Sequence, residues 1–173
     1  MASPTHTAKK GNYEEFLEVF DPEVNDPTDM LFNGLTNKDP ATRAAICNDM
    51  LDRGADATVV DYGQNTLTLL LSHDELGDGD PALVQRLVDA GADVNFRESH
   101  GDTPIKLAVK IGAESDEQRR PIYEALFSKD VDLDEPSSVR NPKNKIGEWL
   151  RMCVDHQPEG LKALDEFLTA RGF

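Results

Sequence analysis

The side chains of this 173-residue chain best suited to catalysis or metal binding are four histidines, two cysteines and two runs of acid. His6, His73, His100 and His156 stand one per segment. No two of them have the His-x-x-x-His spacing, and none the Glu-x-x-His spacing, that presents two ligands from one helical face. They read as surface or capping residues. Cys47 and Cys153 fall within apolar stripes, which suits structural thiols better than nucleophiles, since a reactive thiolate needs an electropositive, partly open setting. Two isolated thiols also make neither a disulfide framework nor a zinc knuckle. The acidic runs are Asp74-Glu75-Leu76-Gly77-Asp78-Gly79-Asp80 and Asp130-Val131-Asp132-Leu133-Asp134-Glu135. Neither fits the twelve-residue calcium loop, and the first lacks its bidentate Glu. Gly77-Asp78-Gly79 lacks the lysine and the strand-to-helix setting of a phosphate cradle. The expectation is therefore no catalytic residue, no metal and no cofactor. An enzyme or metal-dependent protein using the acidic loops is the lesser alternative.

The elements that would carry these residues are clearest between Pro81 and Gly101. Leu83, Val84, Leu87 and Val88 place one apolar stripe on one face of a short helix. Pro81 suits its first position, Asp80 is placed to cap its first turn, and Gly91 supplies the positive φ that ends a helix without a Cβ clash. One such helix cannot bury its own stripe, so the chain is expected to repeat it. Ile46, Cys47, Met50 and Leu51 have the same spacing and end in Arg53-Gly54-Ala55-Asp56, matching Ala90-Gly91-Ala92-Asp93 at an offset of 37 residues. Ile122, Tyr123, Leu126 and Phe127 form a weaker copy in which Asp130 replaces the glycine. Gly63-Gln64-Asn65-Thr66-Leu67 and Gly101-Asp102-Thr103-Pro104-Ile105 are matching helix starts 38 residues apart. Two landmarks sharing one period predict stacked helical pairs.

Residues 1–11, small, polar and basic, are expected to be a flexible tail. Asn12 can cap a helix bearing Phe16, Leu17 and Phe20, which makes residues 12–26 a capping helix. Units are expected at about 27–60, 61–98 and 99–136. A degenerate last unit at 141–173 carries Ile146, Trp149, Leu150 and Cys153, then Leu161, Leu164, Phe167 and Leu168, with Pro158 at a helix start. Trp149 is expected in the core.

Gly101-Asp102-Thr103-Pro104-Ile105-Lys106-Leu107-Ala108 resembles the opening Gly-x-Thr-Pro-Leu-His-x-Ala of the ankyrin repeat family, and Gly91-Ala92-Asp93-Val94-Asn95 resembles its closing segment. Asn65-Thr66 departs from Thr-Pro, and Lys106 and Thr68 stand where the family has His. The helix-to-helix loops are longer than the roughly 33-residue period of the family allows, so insertions are placed at Ser72 to Asp80 and Gly112 to Arg120. The resemblance implies an all-α solenoid of stacked helix-turn-helix units with short turn or hairpin tips, covering about 27–173. It also implies partner binding on the face made by the tips and first helices. Carried over by position, that face is Asp61, Tyr62, Gln64, Ser72, His73, Ser99, His100, Asp102, Lys110 and Ile111. Tyr62 is either an exposed aromatic anchor, the residue type that dominates binding hot spots, or a side chain packed on its own turn.

Thirty-three acids against 18 Lys and Arg give a formal charge of −15. Nucleic acid and anionic membranes are disfavoured as partners, and a basic protein is favoured. Residues 61–100 hold eight acids against Arg86 and Arg97, an acidic centre suited to steering such a partner. No apolar leader and no span of the required length is visible, and the unpaired thiols suit a reducing cytoplasm. A stand-alone array must act by occupying something. The expected function is thus a small acidic inhibitor of the immunity-protein or antitoxin type, with a scaffold or adaptor subunit equally compatible.

Overall fold

The computed structural model describes residues 2–140 and 142–173, so Met1 of the expected tail and Asn141 at the expected start of the last unit lie outside the described residues. Among these, ten helices and one two-stranded antiparallel hairpin make a mostly α-helical chain. The helices are α1 (Pro4–Lys10), α2 (Tyr13–Val19), α3 (Pro27–Gly34), α4 (Pro40–Asp52), α5 (Thr66–Leu71), α6 (Asp80–Asp89), α7 (Pro104–Lys110), α8 (Asp116–Phe127), α9 (Ile146–His156) and α10 (Lys162–Thr169). Strands β1 (Val60–Asp61) and β2 (Gln64–Asn65) form the hairpin before α5. Helices pack as sequential pairs, α1 with α2 through to α9 with α10. Matching members of successive pairs also touch: α1 with α3, α5 with α7, and α2, α4, α6, α8 and α10 in series. One apolar core runs through the stack from Ala8 to Leu168.

The local rules that start and stop these helices operate as expected at several positions. Asn12 makes a reciprocal capping box with Glu15 at the start of α2, with bonds of 2.9 and 3.0 Å. Gly54 and Gly91, at φ +87° and +99°, end α4 and α6. In each case the following amide turns back, Ala55 to Met50 O and Ala92 to Leu87 O, both at 3.0 Å. The expected insertion at Ser72 to Asp80 is a loop whose Asp74 and Leu76 pair with Gly112 of the next helix-to-helix loop.

Five expectations need correction. Residues 4–10 form α1 and are not a free tail: Ser3 caps it, Pro4 opens it, and Thr7 and Ala8 are buried. A two-residue stripe in a polar segment gives too little periodicity to announce a helix. With α1 present, α2 is the second member of a fifth pair and not a lone cap. The second insertion is shorter than Gly112 to Arg120, because Ser115 caps α8 and the helix begins at Asp116, with Pro121 inside it. Pro158 does not start α10, which begins at Lys162. Asp80, finally, lies within the first turn of α6 and caps nothing.

The reason for Asp80's placement is a buried ion pair. Arg43 of α4 donates from Nε to Asp80 Oδ1 at 3.0 Å and from Nη2 to Oδ2 at 2.6 Å, and both side chains are 1% exposed. Arg43 Nη1 donates to the Asn37 carbonyl at 2.6 Å, while the Asn37 amide donates to Ala8 O and Gly11 O. Gly77 N–H donates to Asp80 Oδ2 at 2.8 Å. The helix-to-helix loops of the first three pairs are thus joined by one buried polar network.

Thr103 is the other place where a polar expectation fails. It stands at the N-cap of α7, where a threonine hydroxyl can cap the first turn, yet its side chain makes no cap bond. It is 3% exposed, and its Oγ1 has no hydrogen-bond partner among the described residues. The side chain faces a gap toward Arg97 and Ile146 instead. An unpaired buried hydroxyl contributes no hydrogen bond and bears its desolvation cost. Thr103→Val is therefore expected to leave stability unchanged or raise it by up to about 1 kcal/mol in urea unfolding. A loss above that figure would show that the hydroxyl is satisfied.

Candidate functional site

The connectors between successive helix pairs, the second at 53–65, the third at 90–103 and the fourth at 128–145, include six of the expected site residues, Asp61, Tyr62, Gln64, Ser99, His100 and Asp102. Ser72 and His73 follow α5, and Lys110 and Ile111 close α7. In the hairpin, Val60 pairs with Asn65 and Asp61 with Gln64, leaving Tyr62 and Gly63 as a two-residue turn. Their φ values are +49° and +71°. Positive φ at both positions matches a turn whose twist suits the flanking strands, and Asn-Gly is its usual sequence. Gly63 is required twice over, because a Cβ there would lie 2.8 Å from Ser99 Cβ of the next connector. Ser99 N–H bonds Gly63 O at 3.0 Å, so adjacent tips are fastened together. Tyr62 is 87% exposed and does not pack on its own turn. Asp61 turns its carboxylate to Tyr62 N–H at 2.9 Å.

Beneath this tip, Gln64, Ser72, His73, His100, Asp102 and Lys110 line one open depression of about 430 Å³. Ile111 also lines it but is 3% exposed, so it serves as floor with Leu71 and Leu107 and not as an exposed contact. Its placement follows from Gly112, whose N–H and C=O both pair with the preceding loop and draw Ile111 inward. Ser99, His100, Asp102 and Lys110 border a second depression of about 780 Å³, closed on its far side by Ser137 to Arg140 of the fourth connector. Asp61 and Tyr62 line neither.

Sequence reasoning missed Glu98, the carboxylate that shapes the third tip. Its Oε1 accepts the Asp102 N–H at 2.8 Å, and its Oε2 accepts the His100 N–H and ring Nδ1 at 2.9 Å and the Gln64 amide at 3.2 Å. Burial acts to raise its pKa, but the bonds from Asp102 and His100 outweigh that and hold it below the ordinary value of 4.5. A depressed folded pKa means the carboxylate contributes stability above about pH 4.5, lost as pH falls through the folded value. Glu98→Gln is expected to flatten the acid limb of the stability curve below pH 4.5, read by urea midpoints at pH 3 to 6. An unchanged limb would count against this role. Nothing in the repeat period marks Glu98, because the equivalent residue 38 positions earlier is Val60.

Asp102 is the electrostatic hinge between the two depressions. Its carboxylate takes Lys106 Nζ at 3.0 Å and Lys110 Nζ at 2.7 Å. Burial raises its pKa, and those two cations bring the net shift below the usual value. Lys106, at the family's His position, is 6% exposed and also donates to Ser137 O. Both lysines lie over the Trp149 ring, at 5.0 and 5.7 Å from its centroid. Trp149, expected in the core, thus packs one part against it and carries cations on the other.

The other candidate groups are also engaged. His73 Nε2 lies 2.7 Å from Leu35 O, and burial lowers its pKa, so the neutral ring donates that bond near pH 7. Cys47 is buried and its thiol pKa is pushed far up by desolvation, while Cys153 is raised less. Among the described residues no group of three His, Cys, Asp or Glu side chains is placed to hold a metal ion. Nor, among them, is any helix long and apolar enough to cross a membrane. Within the acidic centre, Asp80 and Glu98 are buried, so two of its eight acids are turned inward and do not face a partner.

No protein-family model and no curated protein matches the chain. A solved structure does: the crystal structure of a functionally unknown protein from Leptotrichia buccalis C-1013-b is similar over 99% of this chain and 95% of that one. The TM-score is 0.75 and the identity 19%. That likeness fixes the fold as one seen in a natural protein and carries no function.

Proposed function

We propose that this chain is an ankyrin-type solenoid that acts as a non-catalytic protein-binding module, specifically a small acidic inhibitor of a basic protein of the immunity or antitoxin kind. The stack of five helix pairs supports the solenoid reading, and the Gly101 to Ala108 and Gly91 to Asn95 segments support the family. One observation carries the binding reading: Tyr62 is held 87% exposed, at positive φ, two residues before Gln64, which lines a depression built by side chains from two successive units. A bulky residue in that conformation is strained, and strain of this kind concentrates where a surface has a task. Binding is favoured over catalysis because Cys47 is buried, while His73 Nε2 is engaged by Leu35 O and His100 Nδ1 by Glu98. Two unpaired thiols, one of them buried, support a reducing cytoplasm. The acids that remain exposed around the tips, among them Asp61, Asp74 and Asp93, would speed encounter with a cationic partner.

The test is a pull-down from the source cell, followed by gel filtration and binding at two salt concentrations. Recovery of one basic, co-encoded protein, with association slowed at high salt, is the expected result. Many partners would favour a scaffold or adaptor, and none would overturn the binding reading.

A further inference from the structure

The larger depression runs against the charge of the molecule that contains it. The protein carries −15, yet the lining between the third and fourth connectors has four cations, Arg97, Lys106, Lys110 and Arg140, against two acids, Glu98 and Asp102. The two acids are already engaged. Glu98 is buried under the amides of its own turn, and Asp102 is shared by both lysines. Arg97 and Lys106 are spent on the connectors, Arg97 donating to Gly101 O and Pro136 O and Lys106 to Ser137 O. Two cations remain to face a ligand. Lys110 is about half exposed, and its one ion pair among the described residues is to the shared Asp102. Arg140 is exposed, and its guanidinium has no ion pair among the described residues. A guanidinium and an ammonium lining one depression suit an oxyanion, the guanidinium as a fork and the ammonium as a point charge.

We propose that this depression receives a carboxylate, the Asp or Glu side chain of a partner segment lying across the third and fourth connectors. The proposal rests on the protein-binding reading and adds its polarity: the partner is basic where it faces the acidic tips, with one acid seated between Lys110 and Arg140.

Trp149, the only tryptophan, lies behind the lysines and reports occupancy through its fluorescence. The probe is the capped peptide acetyl-Gly-Glu-Gly-amide, titrated into the full chain beside its Gln counterpart and inorganic phosphate. The Glu peptide is expected to change Trp149 emission saturably, with a Kd on the order of 1 mM, and the Gln peptide to leave it unchanged. Lys110→Gln and Arg140→Gln, both at exposed positions, are each expected to weaken that binding about threefold to fivefold. Equal response to both peptides, or to neither, overturns the proposal. Tighter binding of phosphate overturns the choice of carboxylate and makes this a general anion site. If the captured partner binds both variants as tightly as the parent protein, the binding module stands and this site falls. If no partner is captured but the Glu peptide binds, the reverse holds.

Discussion

Arg43→Met is expected to cost about 3 to 5 kcal/mol in unfolding free energy, because it leaves Asp80 charged and buried with its guanidinium gone. The pair is bidentate and closed to water, and Arg43 also satisfies the Asn37 carbonyl. The loss therefore includes both an uncompensated charge and an unpaired backbone acceptor. For a chain of this length that corresponds to a fall in Tm of about 10 °C or more. The network joins the loops of three successive pairs, so its removal should also weaken the coupling that makes a stacked array unfold as one body. A broadened or two-step urea transition is expected beside the lower midpoint. Asp80→Leu in the Arg43→Met background should restore much of the stability, since two apolar groups in place of a buried pair remove the desolvation cost. Additive losses in the double variant, or a single-variant loss below about 1 kcal/mol, would show that the pair is not the connection described.

That network also shows what a linear reading of the chain reaches and what it does not. The stripes at Leu83, Val84, Leu87 and Val88, the stops at Gly54 and Gly91 and the cap at Asn12 are local rules, acting within about five residues, and they operate in the structure as they do in the sequence. The period of 37 to 38 residues then placed consecutive tips beside one another, which is why six of the ten expected site residues, Gln64, Ser72, His73, His100, Asp102 and Lys110, meet as the lining of one depression with Ile111 as its floor. Interactions that break the local pattern were invisible. Asp80 sits inside the first turn of α6, one residue past the cap, and only Arg43, 37 residues away, explains its burial. Glu98 faces inward because its partners are amides of a turn whose shape it creates. Helix α1 has too narrow a stripe to be seen without α3 to cover it. Lys106 is a buried lysine whose partners, Ser137 O and the Trp149 ring of α9, lie more than 30 residues further along the chain.

Tyr62 separates stability from binding. Tyr62→Gly is expected to raise stability by about 1 kcal/mol, because glycine takes φ +49° without the clash a Cβ makes in the left-handed region. The side chain is 87% exposed, so its removal sacrifices little packing in the free protein. Binding should move the other way. An exposed aromatic with a polar end, displayed on a rigid turn beside a depression, has the features of a hot-spot anchor, and truncating such a residue costs about 2 to 4 kcal/mol of affinity. Tyr62→Ala and Tyr62→Gly should both reduce affinity for the captured partner by about thirtyfold or more, chiefly through faster dissociation. Tyr62→Phe should keep most of the affinity if the ring supplies the contact and lose it if the hydroxyl does. The opposed signs matter because a destabilised protein binds poorly for trivial reasons, whereas a more stable one that no longer binds has lost a contact. If Tyr62→Gly gained stability and kept full affinity, the tip would be a strained turn with no role in recognition, and the binding surface would have to lie elsewhere along the array.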